Sequence, residues 1–186
     1  MARIPYRDLA TAPEDVQKLV STFAPLNIFR MLAHADTLLR GFGHLGAAIL
    51  GRATLEGRLR ELAILRVAAR SPAAYEWQQH VPIARASGAN DAEIAALERG
   101  ECDAPCFGAR ERALLRFTDE LLDGPRASDE ALAAMRASFT EREVCEAIIT
   151  IGYYMMVARF LETTGVDLEI DSAATVTEMA ERARRR

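Results

Sequence analysis

Between Ala147 and Leu161 the chain reads AIITIGYYMMVARFL, fifteen residues in which Arg159 is the one charge. Wound into a helix, this stretch is apolar around nearly its whole circumference, and such a helix must be covered by others. It falls short of the roughly 18 to 20 apolar residues that a bilayer crossing needs. A soluble bundle around a buried helix is therefore expected. Thr140 and Glu143 stand in capping-box spacing before the stretch and Gly165 follows it, which sets the helix at 141–164. Within it Gly152 would admit a close neighbour, and the Tyr153 and Tyr154 hydroxyls need partners if buried.

The rest of the chain has the same helix–loop–helix grammar. TAPEDVQKLVSTF opens with Thr11 and Glu14 in capping-box spacing, and NIFRMLAHADTLLRGFGHLGAAIL gives one long or two consecutive helices ending before Gly51. GRLRELAILRVAAR and PAAYEWQQHVPIARAS follow, the second stopped by Gly88. Asn90 with Glu93 starts a helix that Gly100 closes, ARERALLRFTDELLD ends at Gly124, and Ser128 caps DEALAAMRASF. No window alternates with period two, so no strand is expected. The chain of 186 residues reads as one all-α domain of about eight helices around the 141–164 helix, with a tail at 171–186.

A net charge of −4 gives no basic footprint for nucleic acid or an anionic membrane, and the closing RARRR reads as a solvated end. The opening MARIPYRDLATAPED lacks the apolar run of a secretory signal, so a cytoplasmic location with reduced thiols is expected. Cys102 and Cys106 fall in the 100–108 loop. They read as two unpaired thiols or as a redox pair, with no further ligands nearby to complete a zinc site.

The chemistry gathers on two consecutive helices. In projection Glu61 lies among Ile64, Leu65 and Ala68, while Arg60, Arg66 and Arg70 point elsewhere. A carboxylate on an apolar face is costly unless it is paired or hydrogen-bonded. On the next helix Glu76 and His80 are about 40° apart and share a sector with Ile83 and Ala84, Trp77 standing at its edge. Tyr75, Gln78, Gln79, Pro82 and Arg85 take the other side. Three inward ionisable groups permit proton transfer, because burial and mutual pairing push their pKa values in opposing directions. A structural Glu–His clip and an oxygen-rich metal site are the other readings of the same residues. Pro82 lacks an N–H, frees the carbonyl of Gln78 and is expected to bend the helix near His80.

The segment RELAILRVAARSPAAYEWQQHVPIARASGANDAEIAAL resembles the carboxymuconolactone decarboxylase-like family of the alkylhydroperoxidase D-like superfamily, with similarity densest over 57–97. The resemblance covers about 25–170, with an N-terminal helical extension, and implies an all-helical fold assembling as dimers, trimers or hexamers; a small-molecule substrate is expected, and no cofactor or metal is assigned. In the peroxidase branch, two cysteines separated by two residues precede the histidine. Here those positions are Ala73 and Glu76, so the thiols are absent although Glu61 and His80 match the branch's glutamate and histidine. The Tyr-Glu-Trp-x-x-His form is more like the lactone decarboxylase branch. It implies His80 as proton donor, Glu61 as its orienting partner and Glu76 as base, acting on a small organic acid or lactone in a pocket that Trp77, His34 and Tyr153 would line. A thiol peroxidase using Cys102 and Cys106, or a ligand-binding helical oligomer without catalysis, are the alternatives. Apolar faces on 36–50 and 111–122 point to self-association.

Overall fold

The structure, a computed structural model, describes residues 1–23 and 26–169; the tail and its basic run lie outside them. Among the described residues a short 3-10 turn at Leu9–Thr11 precedes nine α-helices and there is no strand. The helices are α1 (Glu14–Thr22), α2 (Asn27–Leu32), α3 (Asp36–Arg52), α4 (Gly57–Arg70), α5 (Ala74–Ala86), α6 (Asp91–Glu98), α7 (Ala109–Asp123), α8 (Asp129–Ser138) and α9 (Glu141–Thr164).

Local chemistry accounts for most of the boundaries. Asn90 with Glu93 and Thr140 with Glu143 both close full capping boxes, and the Ser128 side chain accepts from the Ala131 N–H. At residue 11 the expectation fails. Pro13 precedes α1 without a side-chain cap, and the Thr11 hydroxyl donates to the Asp8 carbonyl inside the 3-10 turn. The stretch 27–50 forms two helices, α2 and α3, and α3 continues through Gly51 to Arg52.

The helix surrounded on all sides is α4, packed against α5, α6, α7 and α9, with every residue from Leu59 to Ala68 buried. Of its arginines, Arg60 and Arg66 are buried, Arg58 is half-buried and Arg70 is exposed. Arg66 reaches α7 and forms a two-pronged ion pair with Asp119, at 2.7 and 3.0 Å. Arg58 bridges Glu93 of α6 and Glu111 of α7. Helix α9 has length and hydropathy enough to cross a membrane, yet half of its apolar window is buried in the bundle, as for a core helix. The face it leaves open carries Ile148, Ile149, Gly152 and Met156, and among the described residues nothing lies within 4 Å of where a Cβ on Gly152 would stand. Full enclosure of 141–164 is thus corrected: among the described residues α9 is covered on one side, and α4 takes the centre. Of the other faces read as sticky, α3 leaves Leu38 and Leu45 exposed, whereas Leu121 and Leu122 of α7 are partly buried.

The N-terminal residues are tied to the segment that closes α9. The Arg3 N–H donates to the Thr164 carbonyl at 2.7 Å, and the Asp167 N–H donates to the Tyr6 hydroxyl at 2.8 Å. Gly165 makes this turn in the left-handed region, φ +66°, and a Cβ there would stand 3.2 Å from the Arg3 backbone nitrogen. Gly165→Ala is expected to cost about 1 kcal/mol or more, read as a lowered urea midpoint; an unchanged midpoint would show that the turn relaxes freely.

Candidate active site

Helix α4 carries Glu61 in the middle of its enclosed stretch, and α5 crosses it with Glu76 and His80 one turn apart. The α-helix is maintained through Pro82. Glu61 has no solvent exposure and is satisfied on both oxygens. Oε1 accepts from Arg60 Nε at 2.9 Å, and Oε2 accepts from His80 Nδ1 at 2.7 Å. An ionised carboxylate only accepts, so the Nδ1 of His80 carries the proton and Nε2 is left for chemistry. The Tyr154 ring meets the imidazole edge-on, with centroids 4.8 Å apart.

Glu76 is built differently. It is 2% exposed, and among the described residues neither of its carboxyl oxygens has a hydrogen-bond partner. Burial, reinforced by the charge of Glu162, pushes its pKa well above the ordinary carboxylate value. Burial also raises Tyr153 and Tyr154, helped by Glu76 in the first case and by Glu61 in the second. The Tyr153 hydroxyl donates to the Phe42 carbonyl at 3.2 Å, and Gly46 leaves room for it: a Cβ there would lie 2.6 Å from that oxygen.

These groups face a cavity of about 140 Å³ bounded by α2, α3, α5 and α9. Glu76, His80, Tyr153 and Tyr154 line it, with walls of Phe29, Phe42, Leu50, Val157 and Leu161; Glu61 stands behind His80. Tyr75 and Gln79, projected onto the far side of α5, are buried and line it too. What turns that side inward is Glu169, whose carboxylate accepts from the Tyr75 hydroxyl at 2.7 Å, from Gln79 Nε2 at 3.0 Å and from the Asn27 N–H. No periodicity in α5 announces a partner ninety residues away. A buried-capable aromatic with a hydroxyl was the available signal.

Two expected pocket residues are displaced. Trp77 packs half-buried against the core beside the cavity but does not line it, because the edge of the α5 sector turns toward neighbouring helices. His34 lies exposed in the turn between α2 and α3, with Nε2 2.9 Å from the Pro5 carbonyl. Arg60 is the member that projection assigned outward and the structure places in the site. Its flexible stem folds back along the α4 surface to reach the neighbouring carboxylate. Among the described residues no three histidine, cysteine or acidic side chains form a metal-holding cluster, so Glu61, Glu76 and His80 do not converge as ligands. Cys102 and Cys106 are free, half-buried and outside the cavity lining, and Cys145 lies exposed on α9.

The family pattern described as carboxymuconolactone decarboxylase matches residues 36–120. No curated protein sequence matches the chain. Solved structures share its fold. An uncharacterised peroxidase-related protein from Ralstonia eutropha JMP134, with an alkylhydroperoxidase AhpD core, is 21% identical with a TM-score of 0.79, the alignment covering 95% of this chain and 96% of that one. A peroxidase-related protein from Silicibacter sp. TM1040 is 18% identical with a TM-score of 0.78 and 94% coverage of each chain. The debrominase Bmp8, solved in complex with 2,3,4-tribromopyrrole, is 19% identical with a TM-score of 0.71, covering 96% of this chain and all of its own. At these identities the likeness speaks for the fold. The helical pair that carries Glu61 and His80 falls inside the segment that matches the carboxymuconolactone decarboxylase pattern, and the fold around it is the one shared with the structure described as an alkylhydroperoxidase AhpD core.

Proposed function

We propose that this protein is a cofactor-independent acid/base enzyme, a lyase or isomerase of the carboxymuconolactone decarboxylase type acting on a small organic acid or lactone. The observation that carries the proposal is the Glu61–His80 pair at 2.7 Å, set against an apolar cavity that a small molecule can fill. Glu61, held by Arg60, fixes the imidazole tautomer, so that Nε2 of His80 shuttles the proton. Tyr154 packs against the ring and keeps its orientation. Burial disfavours Glu76 as a resting base, which is the role the family resemblance implied; a protonated carboxyl there is a donor to developing negative charge. That a neighbour of the same fold was solved with a small ring, 2,3,4-tribromopyrrole, agrees with a pocket of this scale.

The thiols argue against the peroxidase alternative. Burial raises the Cys102 pKa, with Arg66 opposing it, which is contrary to what a peroxidatic thiolate requires. The exposed Ile148, Ile149 and Met156 of α9 favour assembly into a homo-oligomer. The test is incorporation of solvent deuterium into a panel of small lactones and cyclic ketones, by the parent protein and by a Cys102→Ser, Cys106→Ser, Cys145→Ser variant. Incorporation is expected to be equal in both, with no thiol consumed by stoichiometric peroxide. Loss of incorporation on removing the thiols, or rapid thiol consumption, would move the reading to a peroxidase.

A further inference from the structure

We infer that the cavity takes an uncharged ring of about six to ten non-hydrogen atoms, a cyclic enone or unsaturated lactone without a carboxylate, whose carbonyl oxygen accepts a hydrogen bond from the Glu76 carboxyl. This rests on the proton-transfer reading of the same site and narrows its substrate class. Size comes first: a dry apolar cavity near 150 Å³ holds a benzene-sized guest, and this one measures about 140 Å³. Charge comes second. Among the described residues no lysine or arginine lines the cavity, and the buried cation behind it, Arg60, is already engaged by Glu61. A carboxylate guest would enter an apolar site beside two acidic side chains with no fixed cation to receive it.

The third observation is Glu76 itself. It is buried, lines the cavity, and has both oxygens free of partners among the described residues. A carboxyl in that position resolves its own cost by staying protonated and by donating to a guest that brings an acceptor. Its upward pKa shift agrees with this state. The other groups that face it from packed elements are His80 on its own helix and Tyr153, Tyr154 and Glu162 on α9; none is a fixed cation.

The reaction then closes without a co-reactant. Nε2 of His80 takes a proton from the carbon conjugated to the carbonyl, so a C–H bond breaks and an N–H bond forms. The electron pair moves onto the carbonyl oxygen, where the Glu76 O–H stabilises it. Return of the same proton from His80 to the other end of the dienolate shifts the double bond. The sum is an isomerisation, with no net change in electrons or protons.

The test uses three probes on the full chain near neutral pH: cyclohex-2-enone, cyclohex-1-enecarboxylate and cyclohexene, with binding followed by ligand-observed NMR. The enone is expected to bind at least about tenfold more tightly than the carboxylate. Glu76→Leu, which removes a buried polar group and should fold, is expected to weaken the enone about five- to tenfold, the effect of one lost hydrogen bond, and to leave cyclohexene unchanged. Glu76→Gln keeps an N–H donor and should restore most of the enone affinity. Carboxylate binding equal to or tighter than the enone, an unchanged enone-to-cyclohexene ratio in Glu76→Leu, or no binding of either neutral ring overturns the inference. Deuterium exchange in His80→Gln separates the two claims. If that variant exchanges as fast as the parent while the Glu76 dependence of binding holds, the proton-transfer reading fails and the ligand class stands.

Discussion

His80→Gln is expected to leave a folded protein whose turnover is down by on the order of 10²- to 10⁴-fold, the usual worth of a positioned general acid/base. Glutamine has similar bulk and an amide N–H that can still reach Glu61, so the buried carboxylate keeps a donor in place of Nδ1. What it lacks is a nitrogen that takes and returns a proton at Nε2. The readout is solvent-deuterium incorporation alongside the far-UV spectrum and urea midpoint. Full activity with native stability would sink the assignment. Glu61 gives the contrasting result. Glu61→Ala strips both the imidazole and the 4%-exposed Arg60 of their partner, leaving a buried cation uncompensated, and is expected to destabilise the fold by about 3–5 kcal/mol. One variant therefore loses chemistry with the fold intact, and the other loses the fold.

The difference between those two residues marks what was legible in the sequence. Helices α4, α5, α6 and α9 were readable because their signals are local: 3.6-residue apolar periodicity, capping boxes at Asn90 for α6 and Thr140 for α9, and a glycine stop at Gly165. Inward placement of Glu61, Glu76 and His80 followed from angle alone. What angle cannot supply is the identity of the covering element. Projection treated α4 as having one buried side, yet α4 is enclosed all round, so Arg60 and Arg66 had to find partners inside. Tyr75 and Gln79 face inward because Glu169 lies across them, a contact between residues 90 or more positions apart. The same limit misplaced the bundle's centre. An apolar circumference shows that α9 needs covering but not where the cover falls, and among the described residues Ile148, Ile149 and Met156 stay exposed.

Glu76 yields the second large effect, and its sign runs against the other carboxylates. Glu111 and Glu146 are both held below the ordinary value: burial pushes each up, but it is outweighed at Glu111 by Arg58 together with local backbone N–H groups, and at Glu146 by the Leu55 and Thr54 N–H groups together with Arg142. Their contributions to stability are present above the usual carboxylate range and lost in acid. At Glu76 the folded pKa is raised above 4.5. The folded chain then holds a proton that the unfolded chain releases, so this group's contribution is full below about pH 4.5 and declines as pH rises toward the folded pKa. The decline approaches about 1.4 kcal/mol per pH unit over that window. Glu76→Gln cannot titrate and escapes it. Urea denaturation of the parent and Glu76→Gln at a series of pH values from acid to mildly alkaline is expected to show a stability difference that is small at the acid end. That difference should grow in favour of the variant with rising pH, while the acid-side loss due to Glu111 and Glu146 is common to both. A difference that stays constant with pH would mean that Glu76 titrates alike folded and unfolded. It would remove the protonated donor on which the neutral-ring reading of the cavity depends.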